Sequence, residues 1–102
     1  MLHYLVQIVI FKKNRFFTLT IQILKAKEIE KEVLKSLGVR IKDLRIKAGF
    51  HSQETFSYAC GIPRAQYARY EKGSNITILS LQKIIKFHKL GWEDFFSEGI
   101  DL

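Results

Sequence analysis

The chain has 102 residues, 47% of them apolar and 26% charged, and its 17 Lys and Arg against 10 Asp and Glu give a net charge of +7. That composition fits one soluble globular domain and argues against a disordered chain. The positive surplus biases the protein toward an anionic partner, nucleic acid or a membrane surface, and the single Cys60 excludes an intrachain disulfide or a cysteine-based zinc site.

Residues 2–11 (LHYLVQIVIF) and 16–24 (FFTLTIQIL) are rich in β-branched and aromatic types, and Leu19, Ile21 and Ile23 alternate with Thr18, Thr20 and Gln22. Lys12, Lys13, Asn14 and Arg15 separate the two runs, and Asn14 tolerates positive φ. This pattern predicts a β-hairpin with a cationic tip, so residues 1–27 read as an N-terminal extension, either a dimerisation element or disordered.

The main domain is expected over 28–102, where the period changes to three and four. Leu34, Leu37, Ile41, Leu44 and Ala48 mark one face of a helix that begins near Lys25–Glu32 and stops at Gly49. Ser52 caps a short second helix with Phe56, Ala59 and Cys60 inward, and Gly61 breaks it. Pro63 opens a third helix that Gly73 closes. Thr77 caps a fourth, with Leu81, Ile84, Ile85 and His88 inward. A last short helix after Gly91 puts Trp92, Phe95 and Phe96 on the core, and Tyr58, Tyr67 and Tyr70 read as packing residues with satisfied hydroxyls.

Helix, short helix, glycine turn, helix is the outline of a helix-turn-helix. On a wheel of about 100° per residue, Tyr67, Tyr70 and Glu71 share one side of the third helix. Ala65, Ala68, Arg69 and Lys72 lie opposite, flanked by Arg64 and Gln66. Small residues let a backbone approach a groove closely, and long arginines reach guanine O6 and N7. Glu71 on the core side needs a counter-charge. Arg45, which borders the apolar stripe of the first helix, is the expected partner in an ion pair that holds geometry.

Residues 37–97 resemble the phage repressor and Cro type of helix-turn-helix, the xenobiotic-response-element family. The resemblance is carried by Ile41, Leu44 and Arg45; by Gln53, Phe56 and Ser57; by Gly61-Ile62; by Arg64–Gly73 (RAQYARYEKG); and by Leu81, Ile84, Ile85 and Trp92–Phe96. It implies a mainly α fold, a five-helix repressor-like domain whose third helix lies in the DNA major groove. Carried over by position, Arg64, Ala65, Gln66 and Arg69 would contact bases, and Ser52 or Gln53, Lys72 and Asn75 would contact phosphates. Arg45–Glu71 matches a salt bridge of the family. There are departures. Pro63 replaces the usual capping Ser or Thr, Ser57 replaces an alanine where the second helix packs on the third, and the Gly49–Ser52 connection is one residue longer than the commonest form.

The expected function is sequence-specific double-stranded DNA binding by a transcriptional regulator acting as a homodimer. The alternative is an antitoxin or adaptor that uses the same fold to hold a protein partner. An enzyme is not expected. His3, His51 and His88 have no metal-ligand spacing, and no HExxH, GxSxG or phosphate-loop pattern occurs, so neither metal nor cofactor is expected. The apolar runs near the start are interrupted by Gln7, Lys12 and Lys13, too short to cross a bilayer, and lack secretory features. A cytoplasmic location without a membrane partner is the resulting expectation.

Overall fold

The computed structural model describes residues 15–98, and side chains from Thr18 onward. Among these residues the structure is all α, with five helices: α1 (Arg15–Lys47), α2 (Gln53–Cys60), α3 (Arg64–Lys72), α4 (Ile78–Phe87) and α5 (Trp92–Ser97). The chain divides into two compact units between Lys31 and Glu32. No helix of the described residues is long and apolar enough to cross a membrane.

The N-terminal hairpin is corrected by this architecture. The proposed strand 16–24 is helical, and α1 is already formed at Arg15 rather than starting near Lys25–Glu32. The proposed strand 2–11 and the tip residues Lys12, Lys13 and Asn14 lie outside the described residues. The physical reason is continuity. No Gly or Pro interrupts 15–37, and the following KAKEIEKEVLK is built from strong helix formers. Each added residue gains a hydrogen bond without a new nucleus, so the helix extends into a β-favouring stretch. In the N-terminal unit, Leu19, Ile23, Leu24 and Ile29 are all more than half exposed.

The second unit holds the core. Leu37 and Ile41 of α1, Phe56 of α2, Tyr67 and Tyr70 of α3, Leu81, Ile84 and Ile85 of α4, and Phe95 of α5 are buried together with Ile62. Phe56 is its centre. Its ring meets Phe50 at 5.3 Å, Tyr67 at 4.9 Å and Phe87 at 4.9 Å, and stacks on His88 at 5.3 Å. Such aromatic pairs add to the burial of apolar area.

Local chemistry sets the helix ends. Ser52 Oγ accepts the Thr55 N–H at 3.1 Å to cap α2, and Thr77 Oγ1 accepts the Ser80 N–H at 3.2 Å to cap α4. Pro63 stands at the α3 N-cap without a side-chain hydrogen bond. Gly73 ends α3 at φ 96°, a left-handed conformation that costs glycine little. Its N–H returns to the Tyr70 carbonyl at 3.2 Å, and that of Ser74 to Arg69 at 3.0 Å.

Several expected core positions are corrected. Ala59 is exposed, Cys60 half-buried, and Tyr58 90% exposed rather than packed. On α5 only Phe95 is fully buried, while Trp92 and Phe96 stack on each other at 6.3 Å in contact with solvent. A six-residue helix has one face, and Arg40 occupies part of the space under it. Arg40 is buried; its Nε donates to the Phe95 carbonyl at 3.0 Å and its Nη2 to the Asp94 carbonyl at 3.2 Å. This satisfies orphan carbonyls of the helix end. The guanidinium also lies 5.5 Å from the Phe95 ring centroid.

Candidate nucleic-acid interface

The geometry of α3 begins with its inner side. Tyr67 and Tyr70 are buried in the core, and Glu71 is buried beside them, its side chain only 3% exposed. Arg45 Nε donates to Glu71 Oε2 at 2.7 Å and Nη2 to Oε1 at 3.3 Å, a two-pronged pair between α1 and α3. The third arm, Nη1, donates to the Phe50 carbonyl at 2.8 Å, which fixes the turn leading into α2. Gln53 Nε2 adds a bond to Glu71 Oε1 at 2.9 Å. Three elements therefore converge on one carboxylate.

Burial opposes the ionised Glu71, but the hydrogen bonds from Arg45 and Gln53 outweigh it and hold its pKa below the ordinary value. The Glu71 partner likewise raises the pKa of Arg45 against the effect of burial. The Tyr67 hydroxyl is buried next to this pair without a hydrogen bond of good geometry, and burial drives its pKa far up. It stays protonated.

The opposite side of α3 is open. Arg64, Ala65, Arg69 and Lys72 are exposed, and Ala68 and Gln66 are half-buried. This face carries no acidic residue. One edge of this face is tied to α2 and the other to a residue of α3 itself. Arg64 Nη1 lies 3.7 Å from Glu54 Oε2 of α2, an exposed and hence weak pair. Gln66 Nε2 donates to the Tyr70 hydroxyl, which in turn donates to Ser80 Oγ of α4 at 3.3 Å. Beyond the helix, Asn75 is exposed.

A family model for the helix-turn-helix matches residues 41–95, which is α1 from Ile41 to the buried Phe95. The chain belongs to the helix-turn-helix family, phage repressor/Cro type. No curated protein and no solved structure matches the chain. Membership implies binding to DNA and carries no catalytic family with it. In the helix-turn-helix, α2 and α3 pack directly on each other, so α2 braces the helix whose outer face stays open. Ser57, where the family carries alanine, fits because its Oγ donates to the Glu54 carbonyl at 2.9 Å.

The bond of the Gln53 side chain is the feature of this helix-turn-helix that escapes a reading of the sequence. Gln53 spends one of its amide hydrogens on Glu71, so its side chain is part of the brace. Ser52 Oγ is engaged with the Thr55 N–H and, at 2.8 Å, with Thr55 Oγ1. Ser52 thus supplies the expected cap of α2.

Proposed function

We propose that the protein is a sequence-specific double-stranded DNA-binding regulator of transcription that lays α3 in the major groove and acts as a homodimer. The observation that carries this reading is the contrast between the two sides of α3. Its inner side is locked by Tyr67, Tyr70 and the Glu71 pair, while its outer side exposes Arg64, Ala65 and Arg69 and no carboxylate. Arg64 and Arg69 are the residues for guanine O6 and N7; Ala65 keeps the approach close. Gln66 serves at the edge of the same face. Ser52 and Gln53 at the start of α2, and Lys72 and Asn75 after the reading face, are assigned to phosphates, which fix register without reading sequence.

The test is selection of bound sites from a random duplex pool. An enriched palindrome with half-sites about one helical turn apart supports specific, dimeric binding. Absence of any enriched sequence ends the reading.

A second reading, an antitoxin or adaptor that holds another protein, draws on the exposed apolar side chains Leu19, Ile23, Leu24 and Ile29. It is compatible with DNA binding. Salt dependence separates the two: a duplex binder loses affinity steeply as salt rises, whereas a protein-only module retains no duplex binding to lose.

A further inference from the structure

The hydroxyl of Tyr70 sits in a chain of hydrogen bonds that runs from the cap of α4 to the reading face of α3. Thr77 Oγ1 accepts the Ser80 N–H at 3.2 Å and donates a hydrogen bond from its own hydroxyl to Ser80 Oγ at 3.0 Å. The Tyr70 hydroxyl donates to the same Ser80 Oγ at 3.3 Å. A phenol carries one proton. With that proton directed at Ser80, Tyr70 can only accept from Gln66, and it accepts from Nε2. Reversing the Gln66 amide would set its oxygen against a hydroxyl oxygen with no proton left for it. The amide orientation therefore follows from the bond that the Tyr70 hydroxyl donates to Ser80 of α4.

We infer that Tyr70 is a positioning residue that sets base preference at the Gln66 edge of α3. By holding Nε2, it leaves Oε1, which meets no donor among the described residues, as the end of the amide offered to a base. An acceptor there selects a base with an amino hydrogen in the major groove, adenine N6 or cytosine N4. Guanine and thymine present acceptors in the same place, and an amide oxygen would meet them lone pair to lone pair. The remaining Nε2 hydrogen suits adenine N7, so adenine is the better of the two. This inference rests on the reading of α3 as the groove helix. Tyr70 itself is 5% exposed and acts only through Gln66.

Site selection with wild type, Gln66→Ala, Tyr70→Phe and Ser80→Ala tests it. Gln66→Ala identifies the base pair concerned as the position that loses its preference. Wild type is expected to enrich adenine, or less strongly cytosine, at that position. Tyr70→Phe keeps the buried ring and should flatten that position alone, leaving the positions lost in Arg64→Ala and Arg69→Ala intact. Its affinity for the selected site should fall about fivefold, the scale of one net hydrogen bond, with random duplex bound as before. Ser80→Ala leaves α3 untouched and should weaken the same position; it decides the matter if Tyr70→Phe melts well below wild type. Guanine or thymine at the position, or an unchanged preference in both relay variants, overturns the inference while the DNA reading stands. A wild type that enriches nothing overturns both.

Discussion

Gly38 of α1 lies against the end of α3 so closely that a Cβ on it would stand 2.5 Å from the Glu71 carbonyl oxygen and 2.9 Å from that of Tyr70. The obstacle is helix backbone, which cannot rotate aside. Gly38→Ala would gain about 1 kcal/mol of helix propensity, but forcing atoms into a packed contact costs about 1–3 kcal/mol. The clash wins, because α3 must move as a body. The expected outcome is a net loss of stability in chemical denaturation, together with weaker duplex binding. A variant as stable as wild type would show that the two helices separate freely.

How much of this was legible in the sequence depends on how local the signal is. Ser52, Thr77, Gly61 and Gly73 mark helix ends through chemistry confined to three or four residues, so α2, α3 and α4 could be bounded from the sequence. The start of α1 could not. The alternation of Leu19, Ile21 and Ile23 is real, but helix propagation from the lysine- and glutamate-rich stretch overrides it. Burial on short helices was also hidden. Tyr58 and Phe56 are both aromatic residues of α2, yet only the surrounding helices decide that one is the core centre and the other 90% exposed. Arg40 in its carbonyl cradle, and the Gln66–Tyr70–Ser80 relay, join residues of different elements and leave no spacing to read.

The Arg45–Glu71 pair yields a prediction of a different kind. Removing one member leaves a buried, uncompensated charge, so Glu71→Ala should destabilise the fold by roughly 3 kcal/mol. Removing both should cost clearly less than the sum of the single variants, since neither charge is then orphaned. Denaturant midpoints of the two single variants and the double variant give the comparison. Additive losses would mean that the two side chains act independently despite the 2.7 Å contact.

His88 makes stability pH-dependent. Its ring stacks on Phe56, its Nε2 is buried without a partner, and burial, aided by the charge of Arg40, lowers its pKa from the ordinary 6.5. The unfolded chain therefore takes up a proton near pH 6.5 that the folded protein still resists. Stability is complete above that value. It falls as pH drops toward the lowered folded pKa, by at most about 1.4 kcal/mol per unit for one proton. Below the folded value this contribution levels off. His88→Leu should remove this part of the slope; the Glu71 contribution, lost only as pH falls below the usual carboxylate range, should remain. Melting temperatures between pH 7.5 and pH 5 that are identical for wild type and variant would refute the assignment.

The exposed cations of α3 should divide into two kinds when tested on DNA. Arg69 stands on the reading face and is assigned to a base edge, so Arg69→Ala should weaken binding to the selected site by about 1–3 kcal/mol and relax preference at one base pair. Lys72, exposed in the last turn, is assigned to a phosphate. Lys72→Ala should weaken selected and random duplexes alike and reduce the slope of log K against log salt by about one. Both side chains are exposed and neither supports the core, so a change in binding reflects the interface rather than the fold. If Arg69→Ala lowered both duplexes equally and Lys72→Ala altered the preferred sequence, the orientation of α3 in the groove would have to be turned about its axis, and the bases would be read by the Lys72 side of the helix.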